Sequence, residues 1–340
     1  MLAQLKIACI GHSHHRKTGS SNFFLGLLNE LAAVDVYWDE GWRGRDNLDL
    51  PEIVGRGYDV TVLYQTERHA KFLSDSGRRV VFVPMYDSCL PFTESFWREL
   101  TNMEILCFCR TLFEQLQGWG LRAKYAQFFP NPAHFEVNTE REYAGFFWRR
   151  RHEPRWETLR SLVGDSELFW INVHEAPDFD SPPPAAISES DQERYRMRFS
   201  AWSEDRTTYI EALRQAGIYF APRLHEGIGM SFLEAMAMGK AIVAPNNPTM
   251  NEYLTHNVNG YLFDLEDPRP IDLRRFREMG QMARQTIERG HLRWKRSREE
   301  ISAWLLSGAW PRRRRSVVHQ MREPAQISVI SLPSSDPEDL

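Results

Sequence analysis

Apolar residues along this chain gather in short blocks separated by polar stretches or by stretches whose apolar positions repeat at helical spacing. LKIACIG, VDVYW, DVTVLY, RVVFVPM and EILCFC are rich in β-branched and aromatic residues and are bounded by turn formers, and helical patterns such as FFLGLLNELA and RTLFEQLQGWG lie between them. Strands alternating with helices predict a parallel, doubly wound sheet. A second cycle of the same kind runs through EYAGFFW, SELFWINVH, the proline-rich loop SPPPAAISES, the helix DRTTYIEALRQAG, and the strands GIYFAP and AIVAP. The PNP turn after AQFF marks a boundary between the cycles. The expected fold is therefore α/β, with two facing Rossmann-like domains, residues 1–140 and 141–307, and a Ser/Pro-rich tail over 308–340 that opens with a basic run. Ligands of open α/β sheets bind beyond the carboxyl ends of the strands, so two such halves enclose a cleft. No repeat at solenoid periods is present.

The stretch from Arg223 to Lys240, RLHEGIGMSFLEAMAMGK, joins one strand to the next helix and places two glutamates eight residues apart. Ser231 and Glu234 have capping-box spacing. Phe232, Leu233 and Met236 share a helical face, and Gly239 suits the left-handed residue that ends a helix, which predicts a helix over about 231–238. Gly227 and Gly229 permit close backbone approach to a ligand, and the free N–H groups of a helix start favour a phosphate or diphosphate. A carboxylate repels phosphate unless it points past it at hydroxyl donors. Glu234, one turn into the helix, can accept the vicinal hydroxyls of a ribose, and Glu226 can face a polyol at the far end of the diphosphate. The implied ligand is a nucleotide sugar.

Composition narrows the class. The 340 residues suffice for about two domains, and a net charge of −4 with mean hydropathy −0.50 describes a soluble globular chain with no bias toward nucleic acid. No apolar run approaches the ~18 residues of a membrane helix, and MLAQLKIACIG leads directly into a strand. Cys9, Cys89, Cys107 and Cys109 sit in or beside apolar runs without zinc-site spacing, which fits buried thiols in a reduced, cytoplasmic protein. The Arg312 to Arg315 run suggests peripheral contact with anionic lipid on the inner face of a membrane, against the plainer reading of a disordered tail.

From Tyr209 to Asp264 the order of elements, E-x7-E around a glycine loop, EAMAMGK, AIVAP, then NEY and NGYLF, resembles the donor half of the retaining glycosyltransferases of the GT-B fold, the family 4 or group 1 type. The resemblance implies transfer of a sugar from a nucleotide-diphosphate donor to an acceptor hydroxyl with retention, without a metal or other cofactor, the departing phosphate taking the acceptor proton. It implies a glycan or lipid-linked acceptor and a place in surface polysaccharide or glycoconjugate synthesis. It assigns the donor sugar to Glu226, the ribose to Glu234, and sugar and phosphate to the backbone of Gly227, Ile228, Gly229 and Met230. Gly19 and Ser20 stand in the loop that closes over the diphosphate from the first domain, and Asn247 and Thr249 border the donor sugar. Asp87 takes a strand-end place in the acceptor half where histidine is usual.

A departing diphosphate needs cations at the cleft, and Arg150 and Arg151 after the strand EYAGFFW are the candidates, against a solvated surface run. Thr249 and Glu252 form another capping-box spacing before NEYLTH, which favours a structural Glu252. Two rival functions stand beside the transferase. His12, His14 and His15 after the first strand suit a metal-dependent hydrolase, with polar loop histidines as the plain alternative. A GT-B protein that binds nucleotide sugar without turnover is the other. The same loop is one residue from a phosphate-binding P-loop, but Arg16 replaces the glycine that such a loop needs.

Overall fold

The computed structural model describes residues 5–178, 181–202 and 207–307; the tail with Arg312, Arg313, Arg314 and Arg315 lies outside the described residues. Strands β1 (Lys6–His12), β2 (Ala33–Asp39), β3 (Val60–Tyr64), β4 (Val80–Val83), β5 (Glu104–Cys107) and β6 (Ala123–Tyr125) form one sheet in the order β2-β1-β3-β4-β5-β6. Strands β7 (Glu142–Trp148), β8 (Ile171–Glu175), β9 (Arg198–Ala201), β10 (Ala216–Phe220), β11 (Ala241–Pro245) and β12 (Tyr261–Phe263) form the other, β12-β11-β10-β7-β8-β9. All of these pairings are parallel. Each sheet begins at an interior strand, β1 beside the edge strand β2 and β7 near the middle, and is extended to both sides, which is the doubly wound topology expected from the alternating blocks.

The continuous apolar blocks became the inner strands. β3, β4, β10 and β11 are buried at every position, as strands covered on both faces must be. The edge strand β9, RFSA, is mostly exposed, so its sequence carried no apolar block to announce it. The helix expected over NEYLTH shrinks to a single turn, Met250–Glu252. Its glutamate does not fold back on its own cap, because the carboxylate is engaged elsewhere: both oxygens accept the Arg110 N–H at 2.8 Å, and one accepts the Thr111 N–H at 3.1 Å. Glu252 thus caps the Arg110–Gly118 helix of the other half, a structural role as expected but with a different partner.

A helix of 32 residues, Phe276–Ser307, ends the described chain and ties the halves together. Phe276 and Met279 pack into the core of the second sheet. Farther along, Trp294 meets the rings of Phe23, Phe108 and Phe128 from the first half, and Gly290 leaves room for the Phe129 ring, which any side chain there would strike. Arg79 closes the far end by donating to the Leu305 carbonyl at 2.6 Å. With this strap in place, the carboxyl ends of β1, β4, β7 and β10 open on a common cleft.

Candidate active site

The cleft holds a cavity of about 990 Å³ lined from both halves. Its floor is the loop from β10 to the Met230–Ala237 helix. Gly229 takes φ +82° as the residue before that helix, and a side chain there would strike the Phe232 ring. Gly227 lies so close to Met85 and Asp87 that a Cβ would come within 2.7 Å of Met85. The close approach that glycine permits at Gly227 is thus to the facing half of the protein. Below the loop, Thr249 is fully buried and its hydroxyl donates to the carbonyls of Glu226 and Gly227, which holds the loop in shape.

The capping box expected at Ser231 and Glu234 does not form. The helix begins one residue earlier, with Gly229 as its cap and no side-chain cap bond, and Glu234 lines the cavity instead. Met230 and Ser231, the first turn of this helix, line the cavity, and the helix start has no side-chain cap bond. Gly239 ends the helix at φ +74°, as expected.

A dense ionic cluster crosses the cleft. Arg223 donates to Asp87 at 2.5 Å and to Asp178 at 2.6 Å, and stands 3.8 Å from Glu226. Asp178 also receives Arg150 on one oxygen and Arg151 on the other, each at 2.8 Å. Burial alone would raise the Asp178 carboxyl, but Arg150 and Arg223 outweigh it and hold it down at about 2. For Glu226 the balance goes the other way. Burial pushes its carboxyl up against the pull of Arg223 and Arg150, and its Oε1 has no hydrogen-bond partner. Asp87 Oδ1 is likewise buried and unpartnered. Two carboxylates from opposite halves thus each keep one bare acceptor oxygen at the cleft, the situation that a ligand hydroxyl relieves.

Of the residues singled out in the sequence, Glu226, Glu234, Gly227, Ile228, Gly229, Met230, Arg150, Arg151, Asp87, Gly19 and Ser20 all line this one cavity. Gly19 turns the chain at φ +67° and Ser20 bonds the Thr18 hydroxyl at 2.9 Å, so both sit opposite the glycine loop. Thr249 and Asn247 do not line it. Thr249 is spent on the loop carbonyls, and the Asn247 carbonyl accepts the Asn251 N–H at 3.1 Å. His12, His14 and His15 line the cavity wall, but they stack: His12 lies against Trp42 with ring centroids 5.3 Å apart and against His15 at 5.7 Å. Among the described residues no group of three or more His, Cys, Asp or Glu side chains is arranged to hold a metal. Burial lowers all three imidazoles, His15 to about 4, so they present neutral rings.

Sequence reasoning missed Arg223, Asp178 and Lys17. Arg223 opens the glutamate stretch, and a cation three residues before a buried glutamate was a usable signal. Asp178 stands in an unremarkable loop after β8. Lys17 crosses the cleft to sit 4.3 Å over the Trp202 ring. Trp148, His174 and Tyr209 complete an aromatic wall that no motif marked.

Comparison with known proteins bears on this arrangement. The family model described as "Glycosyl transferases group 1" matches residues 194–288, the segment that holds Glu226 and Glu234. No curated protein matches the sequence. Among solved structures, the lipopolysaccharide outer core galactosyltransferase WaaB in its apo form is 13% identical with a TM-score of 0.61, over 88% of this chain and 99% of that one. Sucrose-phosphate synthase from Thermosynechococcus elongatus is 14% identical at 0.62, over 88% and 98%. Anabaena Alr3699/HepE, solved in complex with UDP-glucose, is 14% identical at 0.58, over 90% and 100%. At such identities the structures speak for the shared two-domain fold, and the matched segment speaks for the family. With both in hand, residues 194–288 are similar to the group 1 glycosyltransferases and sit within a two-domain fold of GT-B type.

Proposed function

We propose that the protein transfers a sugar from a nucleoside-diphosphate donor to an acceptor hydroxyl, with retention at the anomeric carbon and without a metal. The observation that carries this reading is the single cavity lined by the uncapped start of the Met230–Ala237 helix, Glu226, Glu234 and the arginines together. In it the diphosphate lies against the Met230 and Ser231 N–H groups and takes charge from Arg150, Arg151 and Arg223 as it departs. Glu234 holds the ribose. Glu226 and Asp87 offer their bare oxygens to the sugar, so that the carboxylates orient the donor while the departing phosphate accepts the acceptor proton. Residues 1–140 serve the acceptor and 141–307 the donor. An acceptor of glycan or lipid-linked type, and a role in surface polysaccharide or glycoconjugate synthesis, follow from the resemblance of the motif. Among the described residues no helix is long and apolar enough to cross a membrane.

The test is titration with a panel of nucleotide sugars and free nucleoside diphosphates, followed by transfer assays over an acceptor panel in EDTA. Glu234→Gln should weaken free diphosphate binding by roughly ten- to a hundredfold, since the ribose loses a charged acceptor. Glu226→Gln should lower turnover and leave free diphosphate binding nearly unchanged. Donor binding without transfer to any acceptor identifies an inactive binder, activity that EDTA abolishes and a divalent ion restores sinks the metal-free mechanism, and failure to bind any nucleoside diphosphate at millimolar concentration rejects the site.

A further inference from the structure

We propose that Asp178 is an internal stand-in for the donor's diphosphate, occupying the arginines of the cleft when it is empty and exchanging with the phosphates when the donor binds or the product leaves. The proposal rests on the reading of this cavity as a diphosphate site.

Three guanidiniums converge on this one carboxylate, Arg150 on Oδ1 and Arg151 and Arg223 on Oδ2, at 2.6 to 2.8 Å. All four residues line the cavity. The Asp178 side chain is only 15% exposed, and Arg150 and Arg223 are 19% and 15% exposed, so this part of the cluster is largely screened from water, while Arg151 at 35% stands nearer the solvent. Cations gathered in such a place without an anion would repel one another and bear the full cost of desolvation. The fold supplies the anion itself.

A carboxylate and a phosphate make the same demand of a guanidinium, two oxygens for a planar fork of N–H donors. Whatever satisfies these arginines in the empty cleft therefore competes with the diphosphate for them. Arg150 is already oriented for the exchange, packed 4.9 Å over the Trp148 ring and donating to Asp178 through Nε. The donor brings at least two negative charges against one, so it wins the arginines. After the sugar has left, Asp178 competes to recover them, and the released diphosphate departs sooner than it would from bare cations. The stand-in lowers affinity for the product while keeping the arginines pre-aligned.

The experiment uses the full chain and calorimetric titration with uridine, guanosine and adenosine diphosphates, taking whichever the parent binds. Asp178→Asn keeps the shape and removes the competing charge. It should bind the diphosphate at least about tenfold more tightly, with slower dissociation by stopped flow. A general loss of negative charge in the cleft could tighten binding too, so the same substitution is made in an Arg150→Ala/Arg151→Ala background. Competition for those arginines predicts that the gain largely disappears there, a strongly non-additive cycle. Asp178→Ser, with far-ultraviolet dichroism and melting curves, guards against misfolding of the first variant and should show the same direction. Equal or weaker binding by folded Asp178→Asn and Asp178→Ser overturns the stand-in while leaving the diphosphate site intact, as does a gain that persists without the two arginines. A parent that binds none of the three diphosphates overturns the site and the stand-in together.

Discussion

Arg223 is the residue on which the two halves and the site most directly depend, and Arg223→Met is the sharpest test of that. Methionine keeps most of the length and removes the charge. Arg223 is 15% exposed and joins Asp87 of the first half to Asp178 of the second at 2.5 and 2.6 Å, with Glu226 at 3.8 Å. Removing one partner from a buried ionic cluster costs about 3–5 kcal/mol, because the others stay buried and uncompensated. Asp178 retains Arg150 and Arg151, so the penalty falls mainly on Asp87 and Glu226, and the lower end of that range is the better expectation. At roughly 2–4 °C per kcal/mol for a domain of this size, the melting temperature should fall by at least about 6 °C. A second consequence follows from the titration of Glu226. Its carboxyl already stands above the ordinary value because burial outweighs Arg223 and Arg150, and losing Arg223 lets burial raise it further. On the proposed function the sugar-binding form is the carboxylate, so activity should be lost as pH falls through this raised pKa, and the acid limb of the pH–rate profile should move to higher pH in the variant. Arg223→Lys keeps the charge but cannot fork between two carboxylates, and it should fall between parent and methionine variant. Scanning calorimetry and pH–rate profiles for the three proteins decide the matter. A methionine variant that melts within about 1 °C of the parent with an unmoved acid limb would refute the argument.

Two further outcomes are expected. His15 is held at about 4, mainly by burial, against 6.5 when free, so the unfolded chain binds more protons than the folded one between those values. The stability that the neutral ring contributes is present above about pH 6.5 and lost as pH falls toward 4, up to about 3 kcal/mol, and urea unfolding at a series of pH values should show a shallower slope in His15→Gln. Glu252→Ala removes the cap of the Arg110–Gly118 helix and should cost about 1–2 kcal/mol of stability with nucleoside diphosphate affinity within twofold of the parent; a large change in affinity would place Glu252 in the site after all.

The parts of this protein that were legible in the sequence are those whose causes are local. Inner strands announce themselves because both faces are buried, and the glycine loop and the helix after it do so because Gly229 at the start and Gly239 at the end need positive φ. Glu226 and Glu234 were legible because a motif of nine residues on one loop and one helix brings its own geometry. The failures share a different cause. Ser231 with Glu234, and Thr249 with Glu252, have the spacing of capping boxes, but spacing cannot reveal that Thr249 is claimed by the Glu226 and Gly227 carbonyls or that Glu252 is claimed by a helix in the other half. Asp178 meets Arg223 across 45 residues of sequence, and nothing local marks either as half of a pair. The long Phe276–Ser307 helix is heavily charged, and what fixes it is the distant Phe128 and Phe129 rings that its Trp294 and Gly290 accommodate.

Those long-range contacts also explain why assembly of the site and apposition of the halves are one event. Polar tethers between the halves include Arg223 to Asp87, Glu252 to the Arg110–Gly118 helix, and Lys17 over Trp202. The first and third are made by residues that line the cavity, and the second holds the segment whose Thr249 shapes the glycine loop. Separating the halves would therefore strip Asp87 from Arg223, draw Met85 away from Gly227, and release Lys17, all without touching the Glu226-to-Glu234 segment itself. On the proposed function, a donor that satisfies Arg223 and the bare oxygens of Asp87 and Glu226 at once binds only when the halves are this close. Its binding energy must then favour the closed arrangement by the difference in contacts between the two, in accord with linkage between ligand binding and conformation. On the proposed function, acceptor chemistry on the facing half is in this way coupled to donor occupancy through Arg223, and the Phe276–Ser307 helix, packed on both sheets, ties the same two halves together.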